Sequence, residues 1–490
     1  MRAKRSLTLA LALLLVAAIP ARATGFPAIN VIDTIRPGVD GSYALWNSGR
    51  LGDYLYFGAD DGVNGYELWR TNGTSTTIVA NINLDFGSAS SPYGFTAFGE
   101  WLYFAAADAT EGNELWRTNG TTTELFLDIN TTGGTGSSAP NGFTALGDWL
   151  YFSATEGDSD TELWRTNGTA AGRVFDIQAG GNGSSPQSLT TLGDYLYFYA
   201  YDSTHGAELW RTNGTTTELV QDIRTGTDSS SPSGFTAFNG YLYFQAYDDT
   251  NGVELWRTNG TTTELVQDIR TGTDSSNPSR FTAFNGYLYF QAYDDTHGYE
   301  LWRTNGTTTE LVDNIHSGAD SSYPYGFTAY GAYLYFRAYD ATHGSELWRT
   351  NGTTTELVQD INTGASGADS SNPSGFTALG DYLYFLAYDG TNGDLWRVSA
   401  AGTIESASPA GTNVGFGCMC ERPILTLNGR LFAPVTTDET GFEFAYLDEH
   451  TFGLPGTNRD GSVWSTALVL LAAVTAVAGV GLRMRGAPRS

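Results

Sequence analysis

The thirteen-residue phrase ELWRTNGTTTELV begins at Glu208, Glu254, Glu300 and Glu346 without a single change. Looser copies extend it in both directions, so that its tryptophan recurs at Trp69, Trp116, Trp164, Trp210, Trp256, Trp302, Trp348 and Trp396. The spacings are 47, 48, 46, 46, 46, 46 and 48 residues. Self-similarity at a fixed period constrains a chain more than its length does, because each unit must offer its neighbours the same surfaces. Length alone, at 490 residues, would suggest about three ordinary domains. The period instead lies in the range of a four-stranded β-propeller blade.

One unit divides into strands. GFTAFNG (Gly234 to Gly240) is a short first strand, small and apolar enough to sit near a central axis. YLYFQAYD (Tyr241 to Asp248) is an aromatic second strand, ELWRT (Glu254 to Thr258) a third, and the more polar TTELVQDI (Thr262 to Ile269) an outer fourth. The longest connection, RTGTDSSNPS, returns from the outer edge to the next inner strand. Asn259-Gly260 predicts a type I′ hairpin turn, which needs positive φ at both central residues. The tryptophan before it is expected to bury its ring against a neighbouring blade.

The LYF strand appears eight times from Leu55 to Leu383, and GRLFAP (Gly429 to Pro434) is a degenerate ninth copy. GFEFAYLDE then replaces the ELW strand, and no fourth strand follows. The chain start supplies one, since INVIDTIRPG (Ile29 to Gly38) matches ELVQDIRTG. The expected fold is all-β, a propeller of about nine four-stranded blades over 28–449 with the N-terminal strand completing the last blade. An eight-bladed ring with a separate C-terminal unit is the alternative.

Two resemblances meet in these residues. ELWRTNGT resembles the ELWxxDGT repeat of secreted bacterial proteins, with Asn259 in place of Asp. That resemblance covers nearly all of 28–449 and implies an extracellular repeat protein; it carries no chemistry with it. Ala246, Asp248, Gly252 and Trp256 are also similar to the tryptophan-docking motif of quinoprotein propellers, which implies that the eight tryptophans hold blades together. The spacing shortens in the eighth unit, between Ala387 and Trp396, and Ala445 stands in the tryptophan position of the ninth.

Net charge is −28, and Lys4 is the only lysine. Such acidity argues against nucleic-acid binding, which needs a basic footprint. Residues 1–23 read as a signal peptide: Arg2, Lys4 and Arg5, an apolar run from Leu7 to Ala18, then Ala21-Arg22-Ala23. A membrane anchor is the other reading. Residues 450–463 form a linker; 464–482 are apolar and uncharged, enough to span a bilayer, with a basic tail at 483–490. LPGTN (Leu454 to Asn458) resembles an LPxTG-type sortase signal with Asn458 where Gly is expected. The resemblance implies cleavage after Thr457; a plain membrane anchor is the alternative. Together these features predict export and anchoring at the cell surface.

Catalysis needs unlike groups converging on one spot, and near-identical blades offer like groups. His205, His297 and His343 share one turn position where other units carry Asn64, Asn251 and Asn392, so they read as turn formers. His316 and His450 complete the histidines. No catalytic residue and no cofactor-binding motif stands out. The acidic loops are the better candidates for a metal. Asp248, Asp249 and Asp274, with Asp294, Asp295 and Asp320 one unit later, lie on two loops that leave a propeller on one face, and oxygen-rich loops suit Ca²⁺. Asp in such loops also simply forms turns. The seven Asn-Gly-Thr triplets from Asn72 to Asn351 are glycosylation sequons as well as turns. Cys418 and Cys420 allow a tight disulfide or two thiols.

The leading expectation is an exported, surface-anchored platform that binds extracellular glycan, protein or matrix. A propeller-scaffold enzyme, quinoprotein-like or glycan-active, and a purely structural surface-layer component are the alternatives. An odd, non-repeated polar set in the central channel would favour the enzyme.

Overall fold

The structure is a computed structural model, and it describes residues 29–31, 35–36, 42, 47–85, 87–133, 136–364, 369–391, 393–407, 424–437 and 441–448. The expected signal segment, Cys418, Cys420, His450, Thr457 and the apolar run 464–482 lie outside them. Among the described residues there is no helix, and so none long and apolar enough to cross a membrane.

The regular elements are strands gathered into nine four-stranded antiparallel sheets, consistent with a β-propeller. Sheet five is typical: Ser233–Phe238, Tyr241–Asp248, Gly252–Thr258 and Thr263–Gln267, hydrogen-bonded in sequence order. Strands one and two meet at Asn239-Gly240, whose φ values of 48° and 78° are both positive. The two-residue turn therefore falls here and not at Asn259-Gly260, where only Gly260 is left-handed. The Asn259 turn closes differently: its side-chain Oδ1 accepts from the backbone N–H groups of Thr261 and Thr262 at 2.9 and 2.8 Å. An asparagine amide standing in for a backbone carbonyl makes a four-residue turn stable without a second positive φ.

Period-two alternation sends the residues of each sheet to two different neighbours. In sheet five, Leu242, Phe244 and Ala246 pack with Tyr197 and Leu209 of sheet four. Tyr243 and Leu255 pack instead with Leu288, Phe290 and Ala292 of sheet six. Equivalent clusters occupy every junction, and the circuit closes: Leu427 and Phe432 of sheet nine pack with Leu55, Phe57 and Ala59 of sheet one. The tryptophans sit against these clusters as expected, but only Trp210 is buried, at 8% exposure. The other seven remain partly exposed, and their buried Nε1–H groups find no acceptor among the described residues, so the rings act through packing alone. Phe244 and Leu255, fully buried, belong to the clusters at the two opposite junctions of sheet five.

A second contact repeats across six junctions, where an arginine of the third strand donates to a glycine carbonyl of the next sheet. Arg257 stacks on Tyr241 with its guanidinium carbon 4.4 Å from the ring centroid, pairs with Glu264 at 2.6 Å, and donates to the Gly306 carbonyl of the next sheet at 2.6 Å. At the closing junction Arg430 donates to the Gly73 carbonyl of sheet one, although it comes from a second strand rather than a third.

Sheet nine is assembled from both ends of the chain: Ile29–Val31 lies antiparallel on Gly441–Asp448, followed by Arg430–Thr437 and Leu425–Leu427. Its register pairs Val31 with Ala445, as Leu265 pairs with Trp256 in sheet five. Beyond this strand Ile35 enters the closing core, and Arg36 reaches Asp60 of sheet one at 2.5 Å. We expect deletion of residues 24–38 to lower the melting temperature or to cause aggregation, because it bares the Gly441–Asp448 edge and removes Ile35 from the core. A deletion variant that melts like the parent would contradict this closure. Phe244→Ala should cost roughly 3–5 kcal/mol, and Trp256→Ala less, in denaturant unfolding. The reverse order would restore the tryptophan as the main anchor.

Candidate functional site

The aspartates considered above for a metal lie on loops that are organised by a residue the sequence makes inconspicuous. Glu254, the first letter of ELW, is fully buried. Its carboxylate accepts from the N–H of Ile269 (3.0 Å), Arg270 (3.4 Å) and Ser276 (2.8 Å), and from the Ser276 hydroxyl (2.6 Å). These donors all lie on the connection from strand four to the next sheet. Val253, beside the glutamate, also takes part: its carbonyl accepts from the N–H groups of Ser276 and Asn277, and its own N–H donates to the Ser275 hydroxyl. Asn277 is thereby held at φ 49° immediately before a proline. Glu67, Glu114, Glu162, Glu208, Glu300 and Glu346 occupy the same position, all fully buried.

Burial pushes the carboxyls of Glu208, Glu254 and Glu300 up to about 7, against the opposing pull of the serine and backbone donors. Those of Glu67, Glu114, Glu162 and Glu346 are raised for the same reason.

The metal candidates have other partners. Asp248 accepts from the N–H groups of Thr250 and Asn251 and from the Asn251 amide, locking the turn between strands two and three. Asp294 does the same for Thr296 and His297, with His297 Nδ1 at 2.8 Å. Asp202–His205 and Asp340–His343 repeat the arrangement at 2.8 and 2.9 Å. Burial opposes ionisation of Asp202 and Asp340, but the histidines and turn N–H groups outweigh it and hold both carboxyls below the usual range. The hydrogen bond that His205 donates to Asp202 raises the histidine in return.

Asp249 and Asp295 belong to inter-sheet ion pairs. Arg224 meets Asp249 of the following sheet at 3.0 Å and Asp228 of its own connection at 3.6 Å. Arg270 likewise joins Asp295 at 2.8 Å and Asp274 at 3.6 Å. The two loops thus come together across a junction, and an arginine supplies the cation between their carboxylates. Where Arg270 stands in one unit, His316 stands in the next, near Asp320. Carboxylate oxygens of Asp160, Glu162 and Asp176 in sheet three lie within 4.8 Å of one another. Arg173 already pairs with Asp160 at 2.8 Å, and Glu162 is filled by backbone and Ser184 donors. Asn392 lies outside the described residues.

Sequence reasoning missed the glutamates. Their signal was an acid fixed beside the tryptophan in every ELW strand, with a serine 22 to 25 residues later whose hydroxyl meets it.

No protein-family model matches this chain, and no curated protein matches it in sequence. Among solved structures it is similar to the computationally designed Ika8 protein, at 13% identity and a TM-score of 0.39, over 73% of this chain and 96% of that one. It is also similar to a prolyl endopeptidase (12%, TM-score 0.38, 64% of this chain and 49% of that one) and to Saccharomyces cerevisiae Sqt1 (9%, TM-score 0.38, 86% and 99%). The chain spans about half the length of the endopeptidase chain it matches. Likeness at this level carries no argument about activity.

The raised glutamates set a pH dependence. Because their folded-state values exceed the ordinary 4.5, the folded chain holds more protons than the unfolded chain between about pH 4.5 and 7. Their contribution is complete below that window and is lost as pH rises through about 7. The melting temperature should therefore increase as pH is lowered from 8 to about 5, and Glu254→Gln should flatten the trend. A melting temperature that climbs from pH 5 to 8 would contradict the assignment.

Proposed function

We propose that the chain is an exported, surface-anchored propeller of nine blades, closed by its N-terminal strand, that serves as a repetitive binding platform for an extracellular glycan or protein. One observation carries this reading: the loop face repeats an Asp-capped turn in most sheets, joined at two consecutive junctions by an Arg–Asp bridge. A ligand with a repeating chemical structure would meet equivalent sites around the ring, so weak contacts would add through effective concentration. The signal-like start and the apolar stretch before the terminal arginines support export and anchoring, and the ELWxxDGT resemblance points the same way. Ca²⁺ remains a candidate partner of the acidic loops only where arginine does not already bridge them, as at Asp320.

A glycan array and a cell-wall pull-down with the exported chain test the platform. Binding that falls steeply when a multivalent ligand is cut to single units supports it. Undiminished binding of single units would argue for one privileged site instead. Melting in EDTA and in millimolar Ca²⁺, at matched ionic strength, tests the cation. A shift is expected to be small and shared among several loops, and identical curves would leave these aspartates as turn formers.

A further inference from the structure

The first strands of consecutive sheets run beside one another and form the inner wall. Their second residue is glycine in most sheets: Gly94, Gly142, Gly234, Gly326 and Gly375 have φ between 66° and 74°. Space is short there as well. A Cβ at Gly234 would lie 3.1 Å from the Phe281 ring, and one at Gly326 would lie 3.0 Å from Phe376. Two sheets break the rule: sheet four places the small Ser188 there with φ 57°, and sheet six places Arg280 with φ 64°. An arginine in a left-handed conformation that its neighbours reserve for glycine is a strained choice, and strain of this kind gathers at functional positions.

The Arg280 side chain is exposed, with its guanidinium carbon 4.0 Å from the centroid of the Tyr325 ring in sheet seven. Arg337 lies 4.9 Å from the same ring. Both arginines are unrepeated: the place of Arg337 is taken by Gln245 in sheet five, Gln291 in sheet six and Leu386 in sheet eight. Arg280 and Tyr325 line a cavity of about 440 Å³, together with Thr282, Ser374 and the rings of Phe327 and Phe376. No carboxylate lines it, in a chain with 53 acidic residues and 25 basic ones. Among the described residues Arg280 forms no ion pair, whereas Arg211, Arg257 and Arg303 each hold a glutamate at 2.6 Å.

We propose that this pocket binds a carboxylate, carried by a small organic acid or by a uronic acid residue of a saccharide, with Arg280 as the anion-binding group. A guanidinium presents two parallel N–H groups that match the two oxygens of a carboxylate. The remaining walls are neutral, hydroxyl-bearing or aromatic, so they suit a ligand with one charge and an apolar or hydroxylated body. Arg280 is the one cationic lining residue, so the pocket matches a single negative charge better than a doubly charged phosphate. The volume accommodates a ligand of one or two sugar rings. This site goes beyond the repetitive platform, because it occurs in one sector of the ring only.

The test uses the full chain and calorimetric titration with glucuronate, succinate, glucose and inorganic phosphate at matched ionic strength. Arg280→Gly restores the residue of the neighbouring sheets, so it should fold as the parent does and melt at the same or a higher temperature. A carboxylate should bind the parent, with glucose and phosphate at least tenfold weaker, and Arg280→Gly should lose at least tenfold in carboxylate affinity. Preference for glucuronate would assign a uronate ligand, and preference for succinate a free organic acid. Equal affinity in the variant, no carboxylate binding by the parent, or tighter binding of phosphate would overturn the proposal. Array binding by the loop face should be the same in parent and variant, so failure of the pocket and failure of the platform are separately visible.

Discussion

A buried carboxylate at the start of each ELW strand governs the geometry of this fold. Withdrawing a charge from water is costly unless its lone pairs are filled. Glu254 meets that condition with four donors from one connection, so the cost of burial becomes a restraint on the path of the chain. The same connection carries Ile269 into the core shared with sheet six, and Arg270 onto Asp295 of that sheet. A single buried anion in one sheet thus sets how the next one is approached.

The junctions between sheets follow from strand alternation. Tyr243 and Leu255 face forward, while Leu242, Phe244 and Ala246 face back, and neither face is complete without its neighbour. A stack of such units has two unsatisfied ends unless it closes. Closure is achieved with the same parts in altered places. Ile35 and Arg36 follow the N-terminal strand as Ile269 and Arg270 follow the fourth strand of sheet five. Arg430 reaches the Gly73 carbonyl from the position that a stacking aromatic ring holds in the other sheets.

Repetition and its exceptions point to different kinds of recognition. The loop face offers near-copies of one arrangement, in which aspartates are held by turn N–H groups, with histidines added at three turns and bridging arginines at two junctions. Such a surface suits many weak equivalent contacts. The inner wall differs, because Arg280 occupies a backbone conformation that its counterparts leave to glycine or, at Ser188, to a small side chain. Substituting one residue of a ring breaks its symmetry at that point and gives this sector of the wall a cation that its counterparts lack.

Much of the architecture was legible in the sequence because it depends on periodicity. The 46-residue spacing, the alternating aromatic strand and the match of INVIDTIRPG to ELVQDIRTG are one-dimensional patterns that translate directly into strand pairing. Other features depend on distances between segments far apart in the chain, and these only the tertiary structure decided. Asn259-Gly260 and Asn239-Gly240 carry the same two letters, yet only the second is a two-residue turn, because the Asn259 side chain closes the first. The acidic loops read as a cation site until Arg224 and Arg270 were found between them. Glu254 reads as one more strand charge until it is seen to be fully enclosed. Composition and period specify which residues face a neighbour; what that neighbour places opposite them is set by packing, since a buried charge takes whatever donors the fold brings within reach.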